Sequence, residues 1–315
     1  MPIAFDPEIA SALTTAALAT EGFDPPKRGD ALALRELINP TFRASYEALD
    51  QESNVSTRDL SITASDGAVI TARLYTPPIQ PSGSAVVYVH GGGMICGSID
   101  LYDPLVRYYS DLTGVPFLAV EYRLAPEYQG IRPAQDCFEA TRWFYEHAHE
   151  FGVDPNRIAV MGDSGGGGLA ASVAIQARDH GISLARQILI YPMLDDRNTD
   201  PDLELESTAT WTYDNNFTAW QALIGESLGS ESVSALAAPA RLVNFENLAP
   251  AYIEIGELDI FRDESLSYAA SLGRAGVSCE LHVHPGAPHG YEWIAPESRL
   301  AGRAIAERVR VASML

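Results

Sequence analysis

An α/β fold, built on a mostly parallel central sheet covered by helices on both faces, follows from three observations on this chain. Strand-like and helix-like segments alternate from Leu60 to the C-terminus, the order that parallel strands joined by helical crossovers require. Two glycine runs, His90-Gly91-Gly92-Gly93 and Gly162 to Gly168, each directly follow an apolar strand-like stretch. The 315 residues suffice for one large domain with a substantial core, and no internal repeat or low-complexity tract interrupts them.

Taken in order, residues 1 to about 50 carry Ala/Leu-rich helical patterns that Pro25-Pro26 and Pro40 are expected to break. Together with a second segment, about 195 to 236, they are expected to form a helical cap on a single domain spanning 1–315. Next comes the strand-like Ser84 to Val89, followed by His90-Gly91-Gly92-Gly93. Three glycines in a row let the backbone approach a ligand closely and turn its N–H groups inward, the geometry of an oxyanion hole; a plain glycine turn has the same composition. Met94, directly after the run, is a candidate pocket residue.

After the apolar run Arg157 to Val160, Gly162-Asp163-Ser164-Gly165-Gly166 fits the G-x-S-x-G elbow, in which a sharp strand-to-helix turn exposes a serine. The helix that follows, roughly Gly165 to Asp179, aims its free N–H groups and positive dipole end at that serine. The same residues fit two other uses, an N-cap serine and a dinucleotide fingerprint over Gly165 to Ala170. That fingerprint opens a first βαβ unit and precedes an acid at the next strand end, whereas this run lies mid-chain and the next strand, Gln187 to Tyr191, ends in Tyr-Pro.

Within residues 195–236, aromatic residues Trp211, Phe217 and Trp220 are candidate pocket residues, while Trp220, Leu223 and Ile224 share one helical face that could equally pack on the body. A serine hydroxyl needs a base and an acid to orient it, and after an elbow both follow in the chain, acid first. Asp259 comes after the strand Ala251 to Ile255, and His289 after the strand Ser278 to His284. Glu257 and Asp263 compete for the first role; His282 and His284, alternating on one strand face, read as structural.

In this order the chain resembles the hormone-sensitive-lipase-like family of α/β-hydrolases, bacterial carboxylesterases marked by an HGGG run and a GDSAG-type elbow. The resemblance is carried by His90 to Gly93, by Glu121-Tyr122-Arg123-Leu124-Ala125-Pro126-Glu127, by Gly162-Asp163-Ser164, and by Glu257-Leu258-Asp259 with Arg262-Asp263-Glu264 before His289-Gly290. It covers roughly residues 60 to 295. It implies the α/β-hydrolase fold, a triad of Ser164, Asp259 and His289, and oxyanion donors from the N–H groups of Gly92, Gly93 and Gly165. Gly165 stands where the family usually has alanine, Ile260-Phe261 replace a common Pro-Leu, and Tyr291 replaces a frequent phenylalanine.

The expected activity is a serine carboxylesterase acting on short- to medium-chain esters, a small-molecule substrate, with no cofactor. A lactonase or amidase would use the same triad, and a receptor on the same fold is the rival of another class. No H-E-x-x-H or C-x-x-C spacing accompanies the histidines, so no metal is expected. Net charge is −21, from 21 basic and 42 acidic residues with Lys27 the one lysine, which disfavours nucleic acid and stable membrane association. Cys96, Cys137 and Cys279 are odd in number and far apart, and the N-terminus lacks a secretory pattern, so a cytoplasmic location is expected; a homodimer stays open.

Overall fold

The computed structural model describes residues 3–19, 25–47, 49, 53–78 and 83–315. Eight strands form one sheet in the order β1-β2-β4-β3-β5-β6-β7-β8. The strands are β1 (Ser56–Thr63), β2 (Val69–Thr76), β3 (Ala85–Val89), β4 (Phe117–Glu121), β5 (Ile158–Asp163), β6 (Arg186–Ile190), β7 (Ala251–Gly256) and β8 (Cys279–His284). β1 pairs antiparallel with β2, and β2 with β4; all other neighbours are parallel. The fully buried central strands β3 and β5 are apolar, except for Gly162-Asp163 at the end of β5, as a sheet covered on both faces demands.

The helices are α1 (Pro7–Ala19), α2 (Ala31–Glu47), α3 (Ile99–Thr113), α4 (Arg132–His147), α5 (Gly165–Asp179), α6 (Leu203–Glu206), α7 (Tyr213–Ile224), α8 (Arg262–Arg274), α9 (Tyr291–Ile294) and α10 (Arg299–Ser313). None of the described helices is long and apolar enough to cross a membrane. α5, directly behind the elbow, is buried from Gly165 to Ala177. The two segments expected to form a cap touch each other: the Gly29 N–H donates to the Thr218 hydroxyl at 2.8 Å, and Arg28 pairs with Asp214 at 3.0 Å.

Pro25 and Pro26 lie between α1 and α2, but Pro40 does not break its helix, contrary to expectation. A proline inside a helix costs about 3 kcal/mol. Here aromatic packing opposes that cost: Phe42 and Tyr46, one turn apart, meet Tyr102 at ring distances of 5.3 and 4.8 Å, and Tyr46 meets Trp293 at 4.9 Å.

Candidate active site

The elbow holds Ser164 at φ 55°, a left-handed conformation that a side-chain-bearing residue adopts only under constraint. Its backbone is fixed on both sides. The Ser164 N–H donates to Ile190 O at 2.8 Å, and its carbonyl accepts from Met193 at 3.0 Å and Gly168 at 3.1 Å. The hydroxyl therefore stands at the sheet's carboxyl edge, where β5 gives way to α5.

Three strands deliver the groups that meet there. Ser164 Oγ lies 2.9 Å from His289 Nε2, and His289 Nδ1 lies 2.7 Å from Asp259 Oδ2. Asp259 is fully buried, and its second oxygen accepts the Phe261 N–H at 2.9 Å. The imidazole is wedged edge-on between Tyr191 and Phe261, at ring distances of 4.7 and 5.1 Å. Such a line can move the serine proton to the imidazole and stabilise the charge that results. The competing groups lie elsewhere: exposed Asp263 pairs with Arg262, and Glu257 accepts the Gly286 N–H. His284 is buried; His282 bonds Glu280 at 2.8 Å. Glu280, His282 and Glu307 bring ligand atoms within 4.8 Å of one another, but Arg310 bonds both carboxylates.

The glycine loop faces the serine. Gly92, at φ 103°, turns its carbonyl to the N–H groups of Ile95 and Cys96, both at 3.0 Å, and to the Cys96 thiol at 3.1 Å. Because a trans peptide points its N–H opposite to its carbonyl, the Gly93 N–H is directed away from that anchored side. A Cβ built on Gly165 would lie only 2.8 Å from Gly93 N and 2.9 Å from Met94 N. That contact gives glycine, rather than alanine, a physical reason at position 165: it lets the loop approach the start of α5.

Buried and long-range groups brace this loop. Cys96 is a buried thiol, pushed by burial up to about 12, that donates to Gly92 O. Arg35 on α2 bonds Ile95 O at 2.5 Å, Ala125 O at 2.7 Å and Glu127 at 2.7 Å, tying a cap helix to the loop. His90, held by burial down to about 4, is a neutral ring stacked on Tyr122 at 4.2 Å. Asp163, behind the loop, accepts from Tyr88 at 2.7 Å and Tyr102 at 3.0 Å. No pattern in the sequence marks Arg35, since the contact spans 60 residues or more.

A cavity of about 100 Å³ opens over Ser164 and is lined by Gly92, Trp211 and His289, by Ile38 and Phe42 of α2, and by Trp293. Of the four expected pocket residues, Trp211 is in this lining. The other three are not: Met94 turns its methyl toward Gly168, Phe217 lies under the Arg28 guanidinium at 3.9 Å, and Trp220 is buried in the packing of α7. On α7, Trp220 is taken up by the core, whereas half-buried Phe217 is taken up by the Arg28 guanidinium rather than the chamber. A larger cavity of about 460 Å³, rimmed by Asp195, Asp200, Asp202 and Asp263, has none of the Ser164 group in its lining.

This fold and site define a class, the α/β-hydrolases with a serine elbow. A family model described as alpha/beta hydrolase fold matches residues 86–292. The chain is 36% identical to an ethyl acetate hydrolase of Pseudomonas putida over 246 residues, 74% of each chain. It is 37% identical to a carboxylesterase, NlhH, of Mycobacterium tuberculosis over 232 residues, 70% of this chain and 71% of that one. Among solved structures, a bacterial heroin esterase superposes with a TM-score of 0.84 at 35% identity, covering 98% of this chain and 97% of the other. The chain belongs to the hormone-sensitive-lipase-like carboxylesterase family of α/β-hydrolases, and it is a serine carboxylesterase.

Proposed function

We propose that Ser164 is the nucleophile of this esterase, with His289 as base and acid, Asp259 as its orienting partner, and the Gly92, Gly93 and Gly165 N–H groups as oxyanion donors. The observation that carries this reading is the unbroken line from Ser164 Oγ through His289 to Asp259 at the floor of a small cavity. Ser164 Oγ attacks the ester carbonyl as His289 Nε2 takes its proton; the carbonyl oxygen becomes an anion beside the glycine amides. His289 then returns the proton to the leaving alcohol, and water resolves the acyl-enzyme by the same path.

The substrates of this reading are esters with short to medium acyl chains. The cavity over Ser164, about 100 Å³, is far smaller than the pockets of about 300 Å³ or more that hold larger ligands, which supports a short chain. α2 and the segment carrying Trp211 act as the cap that encloses it. The free cysteines Cys96, Cys137 and Cys279 suit a reducing compartment, the cytoplasm. The test is kcat/KM across p-nitrophenyl acetate, butyrate, octanoate and palmitate. Efficiency is expected to peak at the short end; a rate that keeps rising toward palmitate would overturn the size reading.

A further inference from the structure

Two spaces meet at Trp293. One is the chamber of about 100 Å³ over Ser164. The other is a groove of about 670 Å³ on the outer side of α2, lined mainly by Leu37, Pro40, Ala44 and Pro296, with Glu36 and Ser45 also in its lining. Thr41 and Trp293 belong to both linings. The chamber and groove therefore adjoin at Thr41 of α2 and at the Trp293 indole.

That indole is anchored. Its N–H donates to the Tyr191 hydroxyl at 3.2 Å, and its ring stands edge-on to Tyr46 at 4.9 Å. The Tyr191 hydroxyl donates to Glu292 at 2.7 Å, and Glu292 pairs with Arg308 at 2.5 Å. Glu292 and Arg308 are both buried, so the chain of bonds ends in the core rather than in solvent. A ring fixed by a hydrogen bond at one end and by an aromatic edge at the other keeps one orientation. Trp293 also lies four residues after His289, on the α9 turn that follows the same loop.

We propose that Trp293 is the specificity-determining partition of this esterase: it closes the chamber at the length of a short acyl chain, and without it the chamber runs on into the groove. The inference rests on the reading of Ser164 as nucleophile, because the chamber is defined by that hydroxyl. The groove's Leu37, Pro40, Ala44 and Pro296 side suits further methylenes of the chain, each worth up to about fourfold in binding once buried.

The experiment compares kcat/KM for p-nitrophenyl acetate, butyrate and octanoate on the wild type, Trp293→Ala, Trp293→Leu and the double variant Trp293→Ala/Leu37→Glu. The octanoate-to-acetate ratio is expected to rise about tenfold or more in Trp293→Ala, within the range that pocket shape alone can supply. Trp293→Leu, which keeps an apolar side chain for folding, is expected to move the ratio the same way by less. The double variant should lose the gain, because a second carboxylate, beside Glu36, then replaces the apolar Leu37 wall. An unchanged ratio in both single variants, or a double variant that keeps the full gain, would overturn the partition. Octanoate turnover that survives Ser164→Ala would overturn the nucleophile reading, and the partition with it.

Discussion

Burial pushes the Asp163 carboxyl up to about 6, against the pull of the Tyr88 and Tyr102 hydroxyls that donate to it. In the unfolded chain an ordinary aspartate loses its proton near 4, so between about pH 4 and 6 the folded form holds a proton that the unfolded form has released. This site's contribution is therefore fully present below about pH 4 and falls as pH rises to about 6, by the order of 3 kcal/mol. Asp163→Asn lacks the titration. Urea unfolding of both proteins from about pH 4 to 7 is expected to show wild type losing stability relative to the variant up to about pH 6 and keeping a constant offset from it above that; parallel curves throughout would contradict a raised carboxyl. At this scale the serine, the glycines and His289 were legible because each has a short-range signature, a turn or a loop after a strand. The Asp163 surroundings were not legible, since Tyr88 and Tyr102 reach it from 75 and 61 residues away.

Among the elements, α10 carries a fully buried cation. Arg308, on its inner face, pairs with Glu292 at 2.5 Å, bonds Glu254 of β7 at 2.9 Å, and reaches the Tyr109 hydroxyl of α3 at 3.0 Å. Tyr252 and Tyr291 donate to the same Glu254, at 2.8 and 3.2 Å. Removing the cation leaves two carboxylates in the core without a counter-charge. Arg308→Met is therefore expected to cost about 3–5 kcal/mol in urea unfolding. A loss below about 1 kcal/mol, the size of an exposed pair, would contradict the picture of a dry network. The strand boundaries around this network follow from apolar runs, and α5 spans the residues read as helix from its pattern. α2 departs from the reading because proline is a local signal, whereas the Tyr46 contacts with Tyr102 and Trp293 that support the helix are long-range.

For the whole molecule, the arrangement of sheet and elbow is what local sequence could specify, because parallel strands place their loops on one edge regardless of side-chain detail. The lining of the chamber is a different matter: it needs α2, the Trp211 segment and the His289 loop to meet, and only tertiary packing fixes that meeting. The expectation for Phe217 and Trp220 shows the limit, since an aromatic on a helix has the same appearance in sequence whether it faces a chamber, a core or, like Phe217, a cation on a neighbouring segment. Everything in the functional account converges on one oxygen, Ser164 Oγ. Its direct test is covalent: the protein is treated with a p-nitrophenyl alkylphosphonate, the adduct is located by mass spectrometry, and ester turnover is followed in wild type and Ser164→Ala. One equivalent is expected on Ser164 with parallel loss of activity, and the folded variant is expected to take up none and to turn over esters at least about 10⁴-fold more slowly. A label on any other residue, or a folded Ser164→Ala that keeps a tenth of wild-type turnover, would contradict it.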